Sequence, residues 1–297
     1  MSPDTRTGFI AATAAFTAWG FFPLYFALLR DVPSFEIIGH RIIWATPALA
    51  VIVTFRKRWG DVKSAILNRK TLATLAATGG IIGFNWFIYV YAMTSNAVLS
   101  ASLGYYIGPL ITVALGVVVL KEPLRLPQKI ALGLAGLGVL NQVVVVGEIP
   151  LIALTLAVTF SLYGLLRKTL AVGPMTGLFV ETCLLTPVCL AAVLWIESTG
   201  AGHLFASPKI TTLLLLAGLV SALPLLLFAI GAQRLRLSTI GLIQYLAPTL
   251  VFLCGIYLGE PFTPALGLTF ALIWTGLAVF SVDAWRKERG GGVGGAR

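Results

Sequence analysis

The sequence predicts an all-α integral membrane protein, with ten transmembrane helices in an inverted 5+5 repeat and both termini cytoplasmic. Three observations carry this reading. Only 11% of the 297 residues are charged while 58% are hydrophobic, and a soluble domain would carry about 25% charged residues. The charges are separated by apolar runs of about twenty residues, the length a helix needs to cross roughly 30 Å of hydrocarbon. The chain also repeats itself: 105-YYIGPL-110 returns as 244-QYLAPT-249, and 120-LKEP-123 as 258-LGEP-261.

Hydropathy and turn residues place the spans at roughly 8–29, 35–55, 71–93, 97–120, 127–146, 149–169, 175–196, 210–231, 239–259 and 262–285. Lipid offers no hydrogen bonds, so these runs must be helices, and no barrel-like alternation is present. Short connections such as 147-GEIP-150 force neighbouring spans into antiparallel hairpins. The first run contains Trp19, Pro23 and Tyr25 and outlasts a signal-peptide core, so it reads as a retained helix. Residues 1–147 form a first five-helix half and 148–286 a second. The tail 287–297, rich in glycine, has nothing to pack and is expected to be disordered.

Cytoplasmic loops hold the excess Lys and Arg. The connection after span two carries Arg56, Lys57, Arg58, Lys63, Arg69 and Lys70, and placing it inside fixes every other loop by alternation. Eighteen of the 21 basic residues then fall inside, Arg167 and Lys168 among them; Arg30 and Lys209 fall outside and Arg41 lies within a span. The net charge of +10 is thus a matter of topology, and nucleic acid is not an expected partner.

A repeat of five spans is odd, so the second copy enters the membrane from the opposite side. The pairs 46-TP-47 and 186-TP-187, and Pro33 with Pro174, follow the same register. The first Glu-Pro then lies inside and the second outside, which accounts for lysine in one copy and glycine in the other. Pro109 and Pro248 fall mid-span and are expected helix breaks, each leaving the carbonyl four residues earlier, of Tyr105 or Gln244, without its donor. Matched interruptions in two halves point to a binding site, so these prolines are expected to line a cavity with Tyr105, Tyr106, Gln244 and Tyr245. A plain packing kink is the competing reading.

Arg41 is costly in hydrocarbon, by about 2.5–3.5 kcal/mol on insertion scales. It lies about 9 Å into span two by helical rise, either snorkelling to the surface or facing a central cavity. Glu181 is its equivalent in span seven, by alignment of 41-RIIWATP-47 with 181-ETCLLTP-187. The two opposite charges either bridge directly or couple through water or substrate, which makes Glu181 a proton-coupling candidate. Glu36 lies outward of Arg41, and His40 either bonds locally or faces an outer vestibule. Asn85 with Trp86, Asn141 with Gln142, Trp19 and Tyr163 complete the polar and aromatic candidates. The run 79-GGIIG-83 suits close helix packing.

No cofactor or metal is expected: the sequence has no CxxC, no HExxH and no P-loop. Cys183, Cys189 and Cys254 lie in apolar runs and read as small hydrophobes. With two histidines in the chain, one of them (His203) in a loop, an intramembrane enzyme lacks its clustered catalytic groups.

The series 19-WGFFPLYF-26, 36-EIIGHRIIWA-45, 85-NW-86, 102-SLGYYIGPL-110, 163-YGLLRK-168, 177-GLFVET-182 and 233-QRLRLSTIGLIQYLAPTL-250 resembles the RarD, or chloramphenicol-sensitivity, branch of the EamA family in the drug/metabolite transporter superfamily. The resemblance covers nearly the whole chain. It implies ten helices, an inverted repeat, a bacterial inner-membrane location among membrane lipid, and alternating-access transport of a small-molecule substrate, such as a metabolite or drug. Gly108 stands where the resemblance leads us to expect asparagine, which removes one candidate substrate-contacting amide. The expected substrate-binding residues are Arg41, Trp19, Asn85, Tyr105, Tyr106, Tyr163, Gln244 and Tyr245. A channel or a non-transporting scaffold is the alternative.

Overall fold

The computed structural model describes residues 2–94, 98–146, 151–257 and 264–290. Every regular element among them is a helix. The loop at 147–150 and the second Glu-Pro, Glu260–Pro261, lie outside the described residues, as do residues 291–297 and the side chain of Gln142.

The first span is two helices, α1 (Pro3–Gly20) and α2 (Phe22–Ala27), interrupted at Phe21. Proline at the start of each supplies a fixed φ where no amide partner is needed, and the Ser2 hydroxyl caps α1 by accepting from the Thr5 amide. Helix α3 (Ser34–Phe55) runs through Pro47 unbroken. A left-handed residue, Lys57 (φ 52°), then turns the chain into α4 (Trp59–Leu67), too short to cross a bilayer. Helices α5 (Arg69–Thr94) and α6 (Val98–Val118) follow, then α7 (Leu126–Val146) and α8 (Leu151–Thr169). The remainder comprises α9 (Pro174–Ser198), α10 (Pro208–Arg234), α11 (Leu237–Gln244), α12 (Leu246–Tyr257) and α13 (Pro264–Gly290).

Seven described segments are long and apolar enough to cross a membrane: Pro3–Ala27, Ser34–Phe55, Arg69–Tyr89, Leu126–Val145, Leu151–Thr169, Pro174–Ser198 and Pro208–Arg234. Three shorter apolar stretches, Tyr105–Val118, Leu237–Val251 and Gly267–Asp283, fall where the sequence predicts spans four, nine and ten.

Three expectations need correction here. Pro109 does not break α6, which continues through it; a single lost donor is tolerated when the flanking turns are held by packing. The break near Pro248 falls at Tyr245, between α11 and α12. Helix α13 extends to Gly290, beyond the predicted start of a disordered tail at 287.

Packing relates the halves. Helix α3 packs on α9, α6 on α11 and α7 on α13, while α1 and α3 both pack on α10, and α8 on α5 and α6. Small residues set the closest approaches. A Cβ at Gly218 would stand 2.2 Å from the Trp44 carbonyl carbon, so α3 and α10 cross in backbone contact. Gly79 and Gly83 lie against Glu181 and Leu185 of α9, which is the close packing read from 79-GGIIG-83.

Candidate functional site

The broken spans border a cavity of about 160 Å³. Phe16, Trp19, Phe22, Pro23 and Phe26 of α1 and α2 form one wall, and Gln244, Ala247, Pro248 and Val251 of α11 and α12 form another. Arg41, Asn85, Trp86, Tyr89, Tyr105, Gly108, Phe160 and Ser221 are among the residues that line the rest. The surface is mostly apolar and rich in aromatic rings, with a few convergent polar groups, the usual make-up of a small-molecule site.

Arg41 is 7% exposed and directs its guanidinium into this space. Its Nε donates to Ser221 Oγ at 2.7 Å, and the Ser221 hydroxyl in turn donates to the Ala217 carbonyl at 2.6 Å. The guanidinium carbon lies 4.9 Å from the Trp86 ring centre, 5.6 Å from Phe26 and 5.7 Å from Phe22. Three aromatic faces thus stand where a counter-ion would, and cation–π attraction offsets part of the burial cost. Among the described residues, no ion pair includes Arg41.

The amides are partly committed. Asn85 Nδ2 donates to the Leu156 carbonyl at 2.9 Å and to Thr159 Oγ1 at 2.8 Å. Gln244 Oε1 accepts from Thr112 Oγ1 at 3.1 Å. Thr112 also bonds Ser161 at 2.8 Å, and Ser161 Oγ donates to the Gly108 carbonyl at 3.2 Å. A Cβ at Gly108 would meet Gln244 Nε2 at 3.0 Å, so glycine leaves room for that amide.

The structure brings Arg41, Trp19, Asn85, Tyr105, Gln244 and Pro248 to one cavity, and it leaves Tyr106, Tyr245, Tyr163 and Pro109 off its walls. Tyr106 packs on Phe270 at 5.6 Å between ring centres, in a buried cluster that also holds Tyr245. A rotation of about 100° per residue carries Tyr106 away from Tyr105 and into this packing, and Tyr245 follows Gln244 into the same cluster. The carbonyl of Pro109 lies against Gly241 of α11 instead.

Glu181 does not bridge to Arg41; each has its own partners. Thr78 Oγ1 donates to Glu181 Oε1 at 2.5 Å, Tyr163 OH to Oε2 at 3.3 Å, and Arg167 Nη1 to Oε1 at 3.5 Å. Arg167 is wholly buried, with Nη2 on the Pro174 carbonyl at 3.0 Å. Sequence reasoning placed Arg167 among the loop charges. The i, i+4 spacing of Tyr163 and Arg167 puts both on one face of α8, and that was the available signal. The two charge sites are related: Arg41 of α3 bonds a hydroxyl of α10, and Glu181 of α9 bonds a hydroxyl of α5.

At the N-terminal end of α3, Glu36 is wholly buried and accepts from the His203 amide at 2.6 Å, with His203 Nδ1 2.8 Å from its other oxygen. Ligand atoms of Glu36, His40 and Glu197 lie within 4.8 Å of one another. Trp44 Nε1 donates to His40 Nδ1 at 3.1 Å, so a neutral His40 carries its proton on Nε2 and offers no lone pair to a cation. His40 bonds locally and is 2% exposed.

Comparison with known proteins gives this cavity a context. The family model for EamA-like transporters matches residues 6–142. Protein RarD of Escherichia coli is 40% identical over 288 residues, covering 96% of this chain and 97% of its own. The chain belongs to the EamA-like transporter family, in its RarD branch. An uncharacterized transporter of Pseudomonas aeruginosa is 43% identical over 289 residues, again covering 96% of this chain and 97% of its own. A chloramphenicol-sensitive RarD protein of the same organism is 29% identical over 287 residues, with 95% and 96% covered. A solved crystal structure superposes over 94% of this chain and 97% of its own with a TM-score of 0.69 at 20% identity, a likeness of fold. As an EamA-like transporter with multiple apolar helices, the protein is a multi-pass membrane protein with a small-molecule substrate.

Proposed function

We propose that this protein is a bacterial inner-membrane secondary transporter that exports a small metabolite or drug bearing an anionic group, by alternating access around the aromatic cavity. The observation that carries this is Arg41: a buried guanidinium faces a cavity with no carboxylate partner among the described residues. An unpaired buried charge is stabilised by an incoming anion, and three aromatic faces suit an apolar, planar substrate body. Chloramphenicol-like compounds, which are uncharged aromatics, are the comparison class to test, because a relative bears that drug in its name.

The architecture in this reading is ten spans in two inverted halves, 1–147 and 148–286, with both termini cytoplasmic. Packing of α3 on α9, α6 on α11 and α7 on α13 supports it, since each pair joins spans that the repeat makes equivalent. Discontinuous helices beside a site are a recurring transporter device. Glu181 is the proton-coupling candidate, with Arg167 in the partner role first expected of Arg41.

The test is flux in proteoliposomes. Uptake or efflux of an aromatic anion such as benzoate, or of chloramphenicol, should be concentrative under an imposed gradient and collapse when the gradient is removed. Flux that only equilibrates, whatever the gradient, would indicate a channel.

A further inference from the structure

The first copy of the repeated Glu-Pro has a structural role that transport alone does not assign. Lys121 adopts a left-handed φ of 53°, an uncommon conformation for a residue with a Cβ, and turns Glu122 back under α6. Glu122 is 9% exposed, and its carboxylate is turned inward. It accepts from the Leu237 amide at 2.8 Å, the Ser238 amide at 2.9 Å and the Ser238 hydroxyl at 2.7 Å. These are the first amides of α11, whose free donors and dipole favour a carboxylate. Gly116 makes the space: a Cβ there would lie 2.9 Å from both Glu122 Oε2 and the Ser238 amide.

Helix α11 is the element so held. Its far end is Gln244 in the cavity wall, and the break at Tyr245 frees it from α12. Its near end is joined to α10 by Leu235 and Arg236 alone. Lys168 Nζ bonds the Leu235 carbonyl, and Arg236 Nη1 reaches the Pro123 carbonyl at 3.3 Å. Hence one short helix, packed on α6 and capped by one buried carboxylate, lies between the cavity and the end of the bundle that carries Lys121, Arg125 and Arg236.

We propose that α11 is the gate between the cavity and this basic end, and that Glu122 is the catch that holds it shut. The proposal rests on the transporter reading, but its test needs no transported substrate. In a variant without native cysteines, Gln244→Cys is labelled with a membrane-impermeant maleimide applied to one face or the other of sealed vesicles. Adding Glu122→Gln, which replaces charge-assisted bonds with weaker ones, should raise labelling from the basic face about tenfold, and leave labelling from the opposite face unchanged. Gly116→Ala, which crowds the catch from the α6 side, should act in the same direction. Ser238→Ala removes one bond and keeps the cap, so it serves if Glu122→Gln fails to fold. Unchanged basic-face rates in these variants would overturn the gate. So would equal increases from both faces, which mean general loosening. Absence of gradient-driven flux in the wild-type protein, with the labelling pattern as expected, would instead overturn the transporter reading.

Discussion

Thr46 and Thr186 share a hydrogen bond of 2.7 Å between their hydroxyls where α3 meets α9. They are the threonines of the two Thr-Pro copies, so a residue touches its own repeat equivalent. Each hydroxyl is also near a backbone acceptor in its own helix, Ile42 at 3.3 Å and Thr182 at 2.7 Å. With one proton each, one threonine serves the pair while the other serves the backbone.

If the halves exchange roles between two states, the distance between a residue and its own equivalent is the same in both. A disulfide formed by Thr46→Cys with Thr186→Cys should therefore leave flux within about twofold of the reduced protein, since no state is excluded. Mass spectrometry scores the bond and proteoliposome flux the effect. Flux abolished by oxidation and restored by reductant would show that this contact must open.

Arg41→Ala should weaken binding of an aromatic carboxylate by about 10–100-fold, as expected for a lost charge-assisted contact in a dry site. Arg41→Lys should recover part of it, keeping the charge but not the planar stacking on Trp86. Ligand-induced thermal shifts measure both. A tightly bound ligand with equal affinity for wild type and Arg41→Ala would move the site elsewhere.

Tyr105→Cys, in a cysteine-free variant, should react with a hydrophilic maleimide and be protected by ligand. Tyr106→Cys should stay unreactive, because it packs on Phe270. The reverse pattern would mean that α6 is rotated in the membrane.

Arg167→Ala strands a buried carboxylate and should cost about 3–5 kcal/mol, whereas a partnered removal with Glu181→Gln should recover most of it. Chemical denaturation in detergent reads this cycle. Glu181→Gln alone should leave the protein folded and uncouple flux from an imposed pH gradient; full gradient-driven flux would make Glu181 structural.

Reporter fusions after Arg58 and Arg236 should read cytoplasmic, and one after Gly200 periplasmic. A periplasmic signal after Arg236 would break the inverted arrangement, because spans three to eight, an even number of crossings, separate it from Arg58.

What could be read along the chain was whatever lipid imposes on composition. A backbone without water must be helical, so the apolar runs announced helices. Arg41 stood out for the same reason, since a charge in such a run demands an explanation, and the repeated Tyr/Gln-x-x-Gly/Ala-Pro pattern pointed to Tyr105, Gln244 and Pro248. The sequence by itself determined that the chain is built of apolar helices and which residues are exceptional. Only the tertiary structure decided which way they face. A soluble helix shows its buried side by contrast with a polar one, but a membrane helix is apolar all round, so one residue of register separated Tyr105 in the cavity from Tyr106 in the packing. Partnerships were hidden for a related reason. Arg167 looked like a loop charge, and Ser221 like any small residue, until folding set one beside Glu181 and the other beside Arg41. A hydrogen bond between helices depends on their approach in space, which spacing along the chain does not encode.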